Sequence, residues 1–307
     1  MKTFAGRTAV ITGGASGFGR EFALVAHKAG MNVVIADVQQ DALDATCGEL
    51  EGLGAKVLAM RTDVAKAESV QALADASVAR FGAPSLVFNN AGVGGTGGLL
   101  WENSQRDWEW TIGVNLWGVV HGVRIFTPLM LAAADRDPSF EGHIVNTASM
   151  AGLLTPPNMG VYNTTKHAVV ALTETLYQDL NLVSSQVSCS VLCPYFVPTG
   201  IFKSERNRPA ELNEREAPTV SQRIAREMGQ KAVNSGKVSA AAVAQLTFEA
   251  IAVKQFYVFS HPKALGNVET RMRAIVDIQN PPDPFAARPE VGLELRRQLR
   301  ERQSDSR

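Results

Sequence analysis

The chain has 307 residues, 45% of them hydrophobic, and its 30 basic and 30 acidic side chains cancel. That length and apolar content suit a globular protein with a substantial core, built as one large α/β domain or two small ones. Balanced charge gives no summed field to attract nucleic acid or an anionic membrane, so neither is expected as a partner. No apolar run long enough to span a bilayer is evident and residues 1–6 are no signal peptide, so a cytoplasmic protein is expected.

Residues 7–12 are short, apolar and β-rich, and Phe22, Ala23, Val25 and Ala26 carry a helical apolar stripe. The stretch therefore reads as strand, turn, helix. Between the two, Gly13, Gly17 and Gly19 allow a tight bend, close approach of a ligand and close helix packing. The free N–H groups opening that helix, at its positive dipole end, suit the pyrophosphate of a dinucleotide. A second strand, residues 31–37, ends in Asp37, about 20 residues beyond the glycines, where an adenosine ribose needs an acceptor. An NADP site would want a cation there. Val38, Gln39 and Gln40 follow instead, and Arg20, inside the first helix, is poorly placed. NAD is the expected cofactor.

Further strands at residues 56–63, 85–90, 143–149, 187–194 and 255–260 alternate with helical patterns. Such alternation predicts a Rossmann-type doubly wound parallel sheet of about seven strands with helices on both faces, and ligands at the carboxyl ends of the strands. Asp63 closes the third strand, either to cap a helix beginning near Ala65 or to meet an adenine amino group. Asn89, Asn90, Ala91 and Gly92 close the fourth, as an Asx turn or as neighbours of the cofactor cleft.

Residues 105–133 read as one helix with a buried stripe at Trp108, Ile112, Leu116, Val119, Val123, Phe126 and Met130. Asn115 interrupts it beside the stripe: either its amide packs, or a local distortion frees backbone groups. Residues 135–142 read as a polar loop. Ser149 ends the fifth strand, and a helix over residues 160–183 places Tyr162 and Lys166, four apart, on one face. Cys47, Cys189 and Cys193 lack C-x-x-C spacing and read as free thiols, and the five histidines lack ligand spacing. No metal site is expected.

Taken together these residues resemble the short-chain dehydrogenase/reductase family in its compact single-domain branch. Thr12-Gly13-x-x-x-Gly17-x-Gly19 resembles its cofactor turn, Asp63 its adenine contact and Asn89-Asn90-Ala91-Gly92 its motif after the fourth strand. Asn115, Ser149, Tyr162 and Lys166 resemble its catalytic tetrad, with thirteen positions from Ser149 to Tyr162. The resemblance implies cofactor contacts at Thr12, Gly13, Ser16, Gly17, Phe18, Gly19, Asp37, Val38, Asp63, Val64, Asn90, Ala91, Gly92, Tyr162, Lys166, Pro194, Val197 and Thr199. It also implies a homodimer or homotetramer, and a water held by Asn115 that links Lys166 to solvent. One departure is Tyr195, which replaces the usual glycine in Pro194-Tyr195-Phe196-Val197-Pro198-Thr199.

Residues 1–260 are expected to form the dinucleotide-binding and catalytic domain, with a charged, poorly periodic segment at 199–236 as a mobile lid. A helical extension is expected over 261–307, with Val268, Met272, Ile275 and Val276 on one stripe and residues 290–307 as a solvated helix or frayed tail. This extension resembles bacterial Cα-dehydrogenases of aryl alcohols. Tyr162 is then the expected general base, its phenol lowered from about 10 by Lys166 and a positive nicotinamide, with Ser149 donating to the substrate oxygen. Segments 94–100, 150–159, 195–196 and 199–236, whose inner members are largely apolar or aromatic, predict a hydrophobic secondary alcohol, aryl ones among the candidates, or its ketone as substrate. An NADP-dependent carbonyl reductase and a non-catalytic NAD-binding protein are the alternatives.

Overall fold

A computed structural model describes Met1, residues 3–213 and residues 217–304, the side chains of 301–304 excepted, so parts of the 199–236 segment and of the tail lie outside the described residues. The described strands are β1 (Thr8–Thr12), β2 (Asn32–Asp37), β3 (Val57–Arg61), β4 (Leu86–Asn89), β5 (Gly142–Thr147), β6 (Val187–Cys193) and β7 (Tyr257–Phe259). The helices are α1 (Gly17–Lys28), α2 (Gln40–Gly52), α3 (Ala67–Phe81), α4 (Gln105–Ile112), α5 (Gly118–Arg136), α6 (Gly160–Val183), α7 (Val220–Asn234), α8 (Ala240–Ala252), α9 (Leu265–Val276) and α10 (Pro289–Ser304). All strands pair in parallel in the order β3-β2-β1-β4-β5-β6-β7. The doubly wound sheet expected from the alternation is therefore present, and its order reverses between β1 and β4, where such sheets bind ligands.

Burial on both faces explains why these strands are nearly continuous apolar runs rather than alternating ones. In β1 the side chains of Val10 and Ile11 point to opposite sides. Ile11 joins Phe22, Ile35, Phe88 and Phe248 under α1 and α8. Val10 joins Val34, Val87, Phe126 and Met130 under α3, α5 and α6. Phe22 stacks on Phe88 with ring centroids 4.3 Å apart, and each such buried ring contributes roughly 1.5–3 kcal/mol.

Observed strands differ from the apolar runs by one or two residues at several ends, and at the carboxyl ends of β3, β4, β5 and β6 the last residues of the run already turn into the ligand-facing loops. The expected single helix over 105–133 is broken. Residues Gly113–Trp117 form a π-turn between α4 and α5, with Asn115 fully buried at its centre. That is the local distortion allowed for above, and π-turns leave carbonyls without their usual partners. The stripe changes with it: Trp110 is buried whereas Trp108 is only half-buried. By length and composition the stretch Gln105–Arg136 is apolar enough to cross a membrane, contrary to the sequence reading. Here it packs as a core helix pair, with Phe126 and Met130 against the sheet.

The described part of residues 199–236 is more regular than its charge pattern predicts. They carry 3₁₀ turns at Gly200–Asn207 and Ala210–Leu212, then α7, which starts with a capping box between Thr219 and Gln222. The described tail forms α10, mostly exposed, yet Leu295 is buried and the helix contacts α7.

Candidate active site

The glycine turn is shaped from within. Gly13 has φ of 65°, and a Cβ on it would lie 2.9 Å from the Cα of Ala91. A Cβ on Gly19 would lie 1.9 Å from the carbonyl oxygen of Gly13, so only glycine lets α1 start this close to β1. Ser16 is the N-cap of α1 but its hydroxyl makes no cap bond. Thr12 ties the two central strands together: its hydroxyl donates to Phe88 O (3.2 Å) and accepts from the amides of Asn90 (2.9 Å) and Ala91 (3.1 Å). Asn90 returns a bond from Nδ2 to Thr12 O at 3.0 Å. Asn89 turns the other way, into the core, where it donates to Asn146 at 2.8 Å.

At the far end of the turn, Asp37 accepts from the amides of Ala15 (3.2 Å) and Gln39 (3.1 Å). The carboxylate is thereby aimed without being consumed, since each oxygen has a second lone pair. The N-cap of α2 is Gln39, so Asp37 does not itself occupy the cap position. Asp63 likewise does not cap α3, whose N-cap is Lys66. It closes an Asx turn by accepting from Ala65 N at 3.1 Å.

Arg20 is engaged elsewhere, paired with Glu49 and Glu21. A cation overlooked in the sequence stands nearer: Arg61 pairs in register with Asp37 and donates from Nε to Val38 O at 3.2 Å. Only the neighbouring strand's register reveals it.

Ser149, Tyr162 and Lys166 converge at the ends of β5 and β6. Lys166 is buried, donates to Thr147 O at 2.8 Å and lies 5.7 Å from the Tyr162 ring centroid. The Ser149 hydroxyl accepts from Ala151 N (3.1 Å) and donates to Pro194 O (3.4 Å). Burial pushes the Tyr162 phenol up to about 12, with hydrogen bonding to Ser149 acting the other way. Burial brings the Lys166 ammonium down to about 8. The lowered phenol expected from the sequence also invokes a positive nicotinamide, and with the protein's own groups alone burial dominates.

Asn115 sits behind this group. Its amide donates to Val93 O (2.9 Å) and Thr165 Oγ1 (3.3 Å) and accepts from Val93 N (2.8 Å). Both amide protons are thus engaged, while Oδ1 keeps a second lone pair. Thr12, Gly19 and Asn115 do not line the cavity but hold its wall. The other expected site residues do line it: Gly13, Ser16, Gly17, Phe18, Asp37, Val38, Asp63, Val64, Asn90, Ala91, Gly92, Ser149, Tyr162, Lys166, Pro194, Val197 and Thr199.

The cavity measures about 1790 Å³ and continues from Asp37 past Tyr162 to a largely apolar chamber. Its family follows from comparison with known proteins. The family model for short chain dehydrogenases matches residues 7–210. The chain belongs to the short-chain dehydrogenase/reductase family. A crystal structure of a short-chain dehydrogenase/reductase from Burkholderia phymatum in complex with NAD is 53% identical, with TM-score 0.90, covering 93% of this chain and all of that one. A C alpha-dehydrogenase of Sphingobium is 32% identical over 95% of this chain and 93% of its own. A dehydrogenase/reductase of CLA biosynthesis from Lactiplantibacillus plantarum is also 32% identical, over 90% of this chain and 95% of its own.

Within this short-chain dehydrogenase/reductase, Tyr195 is accommodated in place of glycine because its backbone does not adopt a positive φ. Its amide donates to Ser260 Oγ at 3.0 Å and its ring meets His261 edge-on. The sequence reading also missed the far wall, where Phe285 and Leu295 of the extension line the chamber. Val291, Leu295 and Leu299 recur at steps of four, a short helical signal that the arginines and acids between them masked.

Proposed function

We propose that the protein is an NAD-dependent oxidoreductase that interconverts a hydrophobic, aryl secondary alcohol and its ketone. The observation that carries this reading is the convergence of Ser149, Tyr162 and Lys166 between the dinucleotide turn and an apolar chamber. Residues 1–260 are read as the catalytic domain and 261–307 as an extension that completes the chamber wall.

The residues fit NAD. The α1 start at Ser16, Gly17 and Phe18 suits the pyrophosphate, Asp37 the ribose hydroxyls, Asp63 and Val64 the adenine, and Pro194, Val197 and Thr199 the nicotinamide end. NAD supplies the hydride acceptor in oxidation and the donor in reduction. Tyr162 takes the hydroxyl proton as the alcohol becomes a ketone, and returns it in the reverse direction. Ser149 donates to the substrate oxygen and stabilises the charge that develops there. Lys166, fixed by Thr147, favours phenolate electrostatically. Oxidised nicotinamide, when bound, would add a second positive charge that favours the phenolate against the effect of burial. Arg61 favours a second reading, an NADP-dependent carbonyl reductase, but Asp37 opposes a 2′-phosphate in the same place.

Purified protein should be assayed with NAD and with NADP against a panel of aryl and alkyl secondary alcohols, read at the reduced-nicotinamide absorbance. Turnover with NAD and aryl alcohols is expected. Binding of NAD with no turnover of any alcohol or ketone would instead mark a non-catalytic NAD-binding protein.

A further inference from the structure

Helix α9 turns one face to the chamber. Asn267, Thr270, Arg271 and Ala274, at spacings of three and four, all line it. Asn267 and Thr270 are exposed and the Thr270 hydroxyl is taken by Gly266 O of its own helix. Arg271 is different. It is half-buried, and its guanidinium makes one bond, from Nη1 to Leu153 O at 3.3 Å. Among the described residues no carboxylate forms an ion pair with it.

A guanidinium offers five donors in a rigid fork that matches a carboxylate in two parallel bonds. Arg271 therefore presents most of that fork to the chamber, inside a wall that is otherwise largely apolar. Of the other arginines that line the chamber, Arg226 is paired with Glu205, and Arg206 is exposed and donates to Lys203 O at 2.8 Å. The uncommitted Arg288, Lys231 and Lys237 are exposed at the rim. On the acidic side, Glu294 is held by Arg297 at 2.7 Å and Glu290 is exposed.

Position agrees with a role toward substrate. Leu153 follows Ser149 by four residues, a stretch that spans at most about 14 Å. The guanidinium thus lies within one substrate length of the group that meets the reacting oxygen. The chain as a whole has no net charge to attract an anion, so recognition of one has to be local.

We propose that the substrate is an apolar secondary alcohol, or its ketone, that carries a carboxylate at the end distant from the reacting carbon, and that Arg271 receives that carboxylate. The inference rests on the alcohol–ketone reading above and specifies its substrate class.

The test compares secondary-hydroxy carboxylates of increasing length, aryl and alkyl, each beside its methyl ester, in the wild type, Arg271→Met and Arg271→Lys. For at least one length the wild type should favour the acid over the ester in kcat/KM by about 10- to 100-fold. Arg271→Met should abolish that preference through KM, with the ester changed by less than about threefold, and Arg271→Lys should recover part of it. Esters turned over as well as acids by the wild type would overturn the inference while leaving the alcohol–ketone reading intact. Equal loss for acid and ester in Arg271→Met would also overturn it, leaving Arg271 as a tether for Leu153. No turnover of acid, ester or neutral alcohol would overturn both.

Discussion

Arg208 donates from Nη1 to Asp107 Oδ1 at 2.8 Å, with side-chain exposures of 0% and 1%. The guanidinium also lies 5.2 Å from the Trp110 ring centroid and donates from Nε to Leu212 O at 2.7 Å. One buried cation thus fastens the 200–212 segment, which walls the chamber, to α4. Arg208→Ala leaves a carboxylate buried without its partner, a loss of about 3–5 kcal/mol. It should lower the urea midpoint and raise KM for the alcohol. Adding Asp107→Asn to Arg208→Met should recover much of the stability, because the cap on Ser104 survives without a charge. A single-variant loss under about 1 kcal/mol would contradict this account of the wall.

Cofactor choice is set where β2 meets β3. Asp37 opposes a 2′-phosphate, and with two like charges in partly screened surroundings the penalty is a few kcal/mol, about two orders of magnitude in selectivity. Asp37→Ser should narrow the NAD preference mainly by weakening NAD. Arg61→Ala should widen it, because the exposed cation beside Val38 is the group that helps a 2′-phosphate. Steady-state kcat/KM with both cofactors measures each effect. Comparable values in the wild type would contradict the role given to Asp37.

How much of this was legible in sequence depended on whether the signal was local. Helix α6 was readable end to end, because its apolar spacing and the bounding loops are properties of that segment alone. The glycine turn was readable for the same reason, whereas Tyr162 and Lys166, an ordinary helical pair by spacing alone, stood out only beside Ser149 and the upstream turn. Contacts between distant segments were not. Nothing at Asp107 announces Arg208, 101 residues away, and the stripe at 105–133 misassigned Trp108 and Trp110 because the π-turn shifts the helix face. Leu295 shares a weak stripe with Val291 and Leu299, but which surface would bury it lies in distant segments, since α10 contacts α7.

Acid stability should report on His143. Burial lowers its imidazole to about 3, and it is held neutral in β5 between Ser190 (2.7 Å) and Ser188 (3.0 Å). The unfolded chain takes up that proton near the ordinary value of about 6.5. The neutral imidazole therefore costs nothing above that pH, and stability is lost progressively as pH falls from about 6.5 toward about 3. His143→Gln should be less stable at neutral pH yet show a flatter decline on acidification. Parallel urea-midpoint curves for the two proteins would count against this.

Association is expected through the helices beside the site. Trp117, the last residue of the π-turn, is 49% exposed and Leu182, near the end of α6, is 84% exposed, more apolar surface than a lone chain normally shows at such positions. Light scattering at about micromolar concentration should give a dimer or tetramer, and Trp117→Glu a smaller species. A monomeric wild type would remove the argument.

The central claim is that Tyr162 moves the substrate proton, and Tyr162→Phe tests it most directly because the ring and its packing remain. The variant should bind NAD within about twofold of wild type by calorimetry while kcat falls by about 10²- to 10⁴-fold. Retention of more than about a tenth of wild-type kcat, a deficit under about 1.4 kcal/mol, would show that another group carries the proton and would contradict the account.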